Sequence, residues 1–132
     1  MSEIDKVAWI RVRDGRILAA RSRGKDKFYP PGGKREPGET DAETLIREIR
    51  EELGVEIDAA TITPAGKFEG QAHGHAEGTL VHTTAYSADY RGTPRACAEI
   101  EEIAWLGYAD RPRVSLVAQL VFDHLHETGK LR

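Results

Sequence analysis

The stretch that decides the fold runs from Gly33 to Val55 and reads GKREPGETDAETLIREIREELGV. Thr40 and Glu43 have the spacing of a capping box, and Gly54 supplies a C-terminal stop signal. Between them apolar residues recur at helical spacing. These are Ala42, Leu45, Ile46, Ile49 and Leu53. The pattern predicts an amphipathic helix between Thr40 and Gly54, preceded by a loop.

Three glutamates of this helix share one face. Glu48, Glu51 and Glu52 fall within an arc of about 100°, opposite the apolar residues. Like charges three or four residues apart cost a helix a few tenths of a kcal/mol per pair. Arg47 and Arg50 compensate part of that charge, and a divalent cation would compensate more. Carboxylate oxygens suit Mg²⁺ or Mn²⁺ rather than Zn²⁺. The alternative is a solvated acidic face without a ligand.

The residues before the helix favour phosphate chemistry. The turn Pro31-Gly32-Gly33 lets the backbone approach a ligand closely, and Lys34 and Arg35 add positive charge beside it. A metal ion on the acidic face would neutralise a diphosphate, and one carboxylate could activate water for attack on phosphorus.

The fixed positions of this segment resemble the signature of the Nudix hydrolase family. They are, in chain order, Gly33, Glu39, Arg47, Glu48, Glu51, Glu52 and Gly54. The resemblance implies an α/β fold, a Nudix-type α/β/α sandwich with a mixed central sheet, a catalytic loop and helix, and a C-terminal helix. It also implies hydrolysis of nucleoside diphosphates linked to another moiety, with Mg²⁺ as the cofactor and Mn²⁺ as the second option.

The same resemblance assigns roles to residues of the segment. The implied metal ligands are Glu51, Glu52, the carbonyl of Gly32 and Glu48, which could instead be the base that activates water. The family's orienting pair corresponds to Glu39 and Arg47. A base can also lie on a later loop, and we predict Glu102 as the outside contributor. Its neighbours Glu99 and Glu101 belong to the same cluster, and Glu77 is a weaker candidate.

The substrate branch is inferred from absent signatures. No proline follows Gly54 by 15 residues, where Glu69 stands, as the ADP-ribose branch would have. No tyrosine stands at positions 70–72, as in the dinucleoside polyphosphate branch. The resemblance is therefore to the branch that converts nucleoside triphosphates to monophosphates and pyrophosphate. The alternatives are a nucleotide sensor without turnover and a hydrolase of RNA ends.

Four residues are candidate substrate contacts: Arg21, Phe28, Lys34 and Arg35. The basic loop from Arg21 to Lys34 supplies charge for phosphates. Arg21 could equally be a solvated arginine, and Phe28 could be a core residue rather than a stacking partner for a base. His73 and His75 could together bind a metal, although a loop without a metal is the better-supported interpretation.

The length and composition limit the classes of protein to which this chain can belong. The 132 residues carry a net charge of −3, are 39% hydrophobic and have a mean hydropathy of −0.51. We expect one domain over residues 1–132. No apolar run approaches the ~20 residues that cross a bilayer, and the lone Cys97 forms no internal disulfide. These features predict a cytoplasmic protein with no membrane contact and no stable nucleic-acid partner. The resemblance implies a small nucleotide as the substrate, and a homodimer stays open.

The remaining elements follow from shorter patterns. Ile4–Val12 and Ile17–Ala20 are predicted to form a hairpin through the turn Asp14-Gly15. Later strands are predicted at 66–70, 79–90 and 100–106, and an amphipathic helix is predicted at 114–125.

Overall fold

The computed structural model describes residues 3–72 and 75–132. The strands are β1 (Glu3–Trp9), β2 (Val12–Arg13), β3 (Arg16–Ser22), β4 (Gly32–Lys34), β5 (Glu56–Ile57), β6 (Thr63–Gln71), β7 (Leu80–Ser87), β8 (Tyr90–Arg91) and β9 (Ile100–Leu106). The α-helices are α1 (Asp41–Leu53) and α2 (Leu116–Glu127), and short 3₁₀ helices cover Ala59–Thr61 and Tyr108–Arg113. No helix in this part of the chain is long and apolar enough to span a membrane.

The main sheet has the strand order β4-β1-β7-β6, in which β1 and β7 are parallel and the other pairs are antiparallel. A second sheet has the order β2-β3-β9. Alternate residues of β3 face opposite ways, so Leu18 packs with α1 while Ile17 and Ala19 pack with α2. A mixed sheet system with a helix on each side confirms the predicted α/β/α sandwich.

Helix α1 forms where the sequence predicts it. Thr40 accepts a hydrogen bond from the backbone of Glu43, and the Glu43 side chain accepts one from the backbone of Thr40, which completes the capping box. Gly54 ends the helix with a φ of 69°, a left-handed conformation that favours glycine. Leu45, Ile49 and other apolar residues of the helix pack against the sheet, so burial of this face fixes the orientation of the opposite, acidic one.

The predicted hairpin is wrong in its first strand. Asp14 and Gly15 both have positive φ, as the predicted turn requires, but this turn joins β3 to the short β2. Strand β1 pairs instead with β4 and β7. Apolar alternation specifies which face of a strand is buried and does not specify its partner, and β7 lies about seventy residues away in sequence. The segment Gly32–Lys34, predicted as a loop, is the edge strand β4.

Candidate active site

Arg47, near the middle of α1, joins the loop before the helix to the helix itself. Its Nε and Nη2 atoms donate to the two carboxylate oxygens of Glu39 at 2.7 and 2.9 Å. Nη2 also donates to the backbone carbonyl of Lys34 at 3.1 Å, and Nη1 donates to Glu48 at 2.8 Å. A guanidinium bound in this two-pronged way fixes direction as well as distance. The structure thus brings together Glu39 and Arg47, the pair singled out in the sequence.

Glu39 stays ionised in this arrangement. The hydrogen bond from Arg47 is the main reason that the pKa of Glu39 falls to about 2, and the backbone N–H of Glu36 and the hydroxyl of Thr44 also donate to it. The pKa of Arg47 is raised by the same contact with Glu39. The ion pair therefore persists across the neutral pH range.

Glu52 is buried, with 3% of its surface accessible. Its Oε1 atom accepts a hydrogen bond from the backbone N–H of Gly32 at 2.9 Å. The side chain of Glu51, in contrast, is 54% exposed. The acidic side of α1 is therefore not a uniformly solvated face, because Glu52 turns towards β4 while Glu51 faces solvent.

Glu48 lies against Gly33, the first residue of the segment that resembles the family signature. A Cβ atom on Gly33 would come within 2.5 Å of the carboxyl carbon of Glu48. Only a residue without a side chain leaves room for the carboxylate in this position. Glu48 and Glu52 are thus both gathered at β4, one against Gly33 and the other on the N–H of Gly32.

Burial and mutual repulsion shift the protonation of these two carboxylates. Burial raises the pKa of Glu52 to about 8, and the charges of Glu48 and Glu99 add to the increase. Burial also raises the pKa of Glu48, with Arg47 opposing the shift and Glu51 and Glu99 adding to it. Without a cation, the ionised forms of both carboxylates are therefore disfavoured.

The chemistry of the donor set fits a divalent cation. Three carboxylates and the backbone of Gly32 offer oxygen ligands, which Mg²⁺ and Mn²⁺ prefer. Among the residues that the structure describes, no three His, Cys, Asp or Glu side chains already surround one metal position. Two of the three carboxylates contact Arg47 instead, whose Nη1 atom lies 2.8 Å from Glu48 and 3.6 Å from Glu51. A bound cation would compete with Arg47 for these carboxylates.

We expect the protein in EDTA to lose stability as the pH rises from about 5 to about 8. The pKa of Glu52 lies above its ordinary value of 4.5, so between 4.5 and about 8 the folded state holds a proton that the unfolded chain has released. Stability then falls by up to about 1.4 kcal/mol per pH unit and levels off above pH 8. Urea unfolding across this range measures the slope. Glu52→Gln should flatten it, and an unchanged slope in this variant would contradict the assignment to Glu52.

A basic pocket of about 260 Å³ opens beside these carboxylates. Gly32 and Gly33 form part of its wall, and three lysines, Lys6, Lys25 and Lys27, line it. Its opposite end is apolar and is formed by Ile4, Val81, Val117, Ala118 and Val121. Burial, together with the charge of Lys34, lowers the pKa of Lys6. The pocket combines positive charge near the glycines with an apolar end between the sheet and α2.

The residues predicted to contact substrate differ in their burial and in their partners. Phe28 is 4% exposed and belongs to the core beside α2, the alternative that the sequence left open. Tyr29, the next residue, lines the pocket instead. Arg35 pairs with Asp41 at 3.3 Å, and Lys34 ends β4 as an exposed side chain.

Glu102 and Glu99 lie in different surroundings. Glu102 is opposite Arg21 in the β3–β9 pair and accepts from its guanidinium at 3.3 Å. Glu99 precedes β9 in a turn, and its charge acts on Glu48, Glu52 and Tyr29. Electrostatic coupling between this cluster and the buried carboxylates therefore comes from Glu99. Sequence spacing could not distinguish the surroundings of Glu99 from those of Glu102, because a register shift between Arg21 and Ser22 interrupts the pairing of β3 with β9.

The remaining sequence candidates lie in different places. His73 lies outside them, while His75 lines the pocket. Glu77 is exposed in the turn before β7. Cys97 is a free, half-buried cysteine whose backbone N–H donates to the carbonyl of Glu52. Lys6 was not among the residues predicted from the sequence, and its place directly before the apolar run Val7–Trp9 of β1 was the available signal.

Known proteins are similar to this chain in sequence. The NUDIX domain model matches residues 4–122. The CTP pyrophosphohydrolase of Escherichia coli (strain K12) is 34% identical over 110 residues, which are 80% of this chain and 76% of that protein. The asymmetrical bis(5′-nucleosyl)-tetraphosphatase of Mus musculus is 34% identical over 92 residues, which are 69% of this chain and 63% of that protein.

Solved structures show the same fold. The crystal structure of the MutT NUDIX hydrolase from Burkholderia pseudomallei superposes with a TM-score of 0.76 at 25% identity. The superposition covers 93% of this chain and 98% of that one. The similarity therefore extends well beyond the signature segment to the sheets and both helices.

Proposed function

We propose that this chain, which belongs to the NUDIX family, hydrolyses a nucleoside triphosphate to the nucleoside monophosphate and pyrophosphate. The family model and the named relatives show that it is a hydrolase of phosphoanhydride bonds. One observation carries the finer proposal: Glu52 and Glu48 contact the glycines of β4, and the same glycines form part of the wall of a pocket lined by lysines.

Nudix hydrolases generally use divalent metal ions. In this chain Glu48, Glu51, Glu52 and the carbonyl of Gly32 are the proposed ligands, with Mg²⁺ as the first choice and Mn²⁺ as the second. When bound, such an ion neutralises charge on the diphosphate and makes phosphorus easier to attack. The protein holds these oxygen ligands close together. The ion pair of Glu39 and Arg47 fixes the loop before α1 relative to the helix, and so positions the ligands.

Glu48 is the proposed base that takes the proton from the attacking water. Its raised pKa makes it a better proton acceptor than an ordinary glutamate, and Gly33 leaves space beside its carboxylate. Glu99, rather than Glu102, is the proposed contributor from outside the helix, because its charge reaches both Glu48 and Glu52. Glu102 is engaged with Arg21 at the surface.

The pocket suits a nucleotide with its phosphates at the glycines. Lys6, Lys25 and Lys27 offer ammonium groups to the phosphates, and the apolar end offers a place for the base. The similarity to a CTP pyrophosphohydrolase supports a triphosphate as the substrate. A dinucleoside polyphosphate is the second candidate, favoured by the similarity to the tetraphosphatase, although no tyrosine stands at positions 70–72.

We expect Glu99→Gln to lower the rate of hydrolysis about tenfold or more and Glu102→Gln to change it less than about threefold. The reason is that the negative charge of Glu99 contributes to the raised pKa of both Glu48 and Glu52, whereas Glu102 is paired with Arg21. Initial rates against pH for both variants decide the matter, with Arg21→Gln as a control for loss of the surface ion pair. A larger loss of rate in Glu102→Gln than in Glu99→Gln would identify Glu102 as the contributor from outside the helix.

A nucleotide screen tests the proposed function. Each nucleoside triphosphate would be incubated with Mg²⁺ or Mn²⁺ and added pyrophosphatase, and released phosphate would be measured. ADP-ribose and a dinucleoside tetraphosphate would be incubated with added alkaline phosphatase instead, which releases phosphate from their products and not from the intact substrates. We expect phosphate release from one or more triphosphates that depends on the added pyrophosphatase. Turnover of only the tetraphosphate would select the second candidate, and binding without turnover of any phosphoanhydride would indicate a sensor.

A further inference from the structure

Strand β6 forms the outer edge of the main sheet. It is nine residues long and pairs with β7 on one side only, so the backbone groups along its other edge have no strand partner in the described part of the chain. Natural proteins block such edges with prolines, bulges or charges. Pro64 and the register shift between Pro64 and Gly66 block the first third of β6. The segment Gly66–Gln71 stays in regular register and remains open to pairing.

The charges on this open segment are complementary to a second copy of themselves. Antiparallel pairing about a twofold axis at Phe68 places Lys67 opposite Glu69 of the second copy, and Glu69 opposite its Lys67. The neighbouring symmetric registers, centred on Lys67 or on Glu69, would bring like charges face to face. Lys67 is exposed and has no ion pair among the residues described. The charge pattern therefore selects one register of self-pairing.

Apolar groups adjoin the same edge. The large hydrophobic side chains that are exposed in the described chain are Leu116 and Leu120, at 48% and 40% exposure, and both belong to α2. They lie four residues apart, on one face of the helix. Leu120 borders β6, because a Cβ on Gly70 would lie 3.7 Å from its Cδ1 atom. Leu116 and Leu120 thus flank the edge on the side of the sheet that packs against α2.

Glycines leave room for these leucines in the paired form. In the register centred on Phe68, Gly66 of one copy stands opposite Gly70 of the other. Gly66, Phe68 and Gly70 alternate with Lys67 and Glu69, so they share the face of the sheet on which α2 lies. Leucines of one copy can approach the glycines of the other without a side chain in between.

We propose that β6 pairs antiparallel with β6 of a second copy, with Phe68 on the twofold axis, to form a homodimer with a continuous eight-stranded sheet. The two Lys67–Glu69 pairs set the register, and burial of the α2 leucines supplies most of the driving force. The interface contains none of the proposed metal ligands, so it does not depend on the proposed function.

Sedimentation equilibrium of the intact chain tests the dimer through charge reversal. Lys67→Glu and Glu69→Lys each replace two attractive contacts with two repulsive ones, so each variant alone should dimerise at least about tenfold more weakly than the wild type. An equimolar mixture of the two variants restores both attractive pairs and should form a heterodimer of wild-type affinity. The double variant should likewise recover the homodimer.

Controls separate the interface from folding. Lys130→Glu, an exposed reversal beyond the end of α2, should dimerise like the wild type, and circular dichroism should show every variant folded. Glu69 also contacts His82 at 2.9 Å, which makes the mixing experiment more decisive than Glu69→Lys alone. In the wild type, the backbone amide hydrogens of residues 66–71 should exchange with solvent more slowly as the protein concentration rises, because dimerisation pairs this edge. A wild type that stays monomeric at high micromolar concentration, or a mixture that gains no affinity, would overturn the proposal.

Discussion

Glu52→Gln is expected to slow hydrolysis by about a thousandfold or more, a loss of roughly 4 kcal/mol in transition-state stabilisation, while the fold stays intact. Glutamine keeps an oxygen that can accept the hydrogen bond from Gly32, so the local packing survives. It removes the negative charge that a divalent cation requires of this buried ligand. Initial rates at saturating Mg²⁺, together with thermal unfolding, measure both effects.

The stability of this variant distinguishes loss of chemistry from loss of structure. Because burial disfavours the charged form of Glu52, the metal-free variant should be at least as stable as the wild type at pH 8. Glu127→Gln, an exposed change near the end of α2, serves as the matched control and should keep full activity. If Glu52→Gln retained more than about a tenth of the wild-type rate, Glu52 would not be a principal ligand.

Gly32→Ala is expected to have the largest effect on stability, at least about 3 kcal/mol, and to abolish activity with it. Gly32 has a φ of 153°, and a Cβ there would stand 2.0 Å from the backbone carbonyl oxygen of Val7. Relief of this clash requires β4 to move away from β1, which also displaces the N–H that Glu52 uses. Urea unfolding and activity assays on the same preparation measure the loss.

Gly38→Ala is the matched control for Gly32→Ala. Gly38 also has a positive φ, 83°, but a Cβ added there meets no atom within 4 Å. The control should therefore cost only about 1 kcal/mol, the strain of a left-handed backbone. Equal losses in the two variants would show that backbone conformation, and not the close approach of β1 to β4, makes glycine necessary at position 32.

The sequence was sufficient for the parts of the fold that depend on local interactions. The capping box at Thr40, the stop at Gly54 and the apolar spacing between them predicted α1 correctly, because each involves residues within one or two turns. The strand over Ile100–Leu106 and the turn at Asp14-Gly15 were also correct. The fold class followed from the order of the predicted strands and helices and from the resemblance of a single segment to a known family.

The sequence was insufficient where distant segments meet. It could not show that β1 lies beside β7, because a strand's apolar pattern does not identify its partner. It left open whether Glu52 belongs to a solvated acidic face, because its burial depends on contact with Gly32, twenty residues away. It also could not distinguish Glu99 from Glu102, because the turn and the register shift before β9 decide which carboxylate faces the helix.

Product analysis by ³¹P NMR tests the central claim most directly. Wild-type protein, a nucleoside triphosphate and Mg²⁺ should give resonances of the nucleoside monophosphate and pyrophosphate in equal amounts, and EDTA or Glu52→Gln should stop their appearance. Formation of the diphosphate and inorganic phosphate, or the same products at the same rate from Glu52→Gln, would contradict the account of a metal-dependent hydrolase centred on the carboxylates of α1.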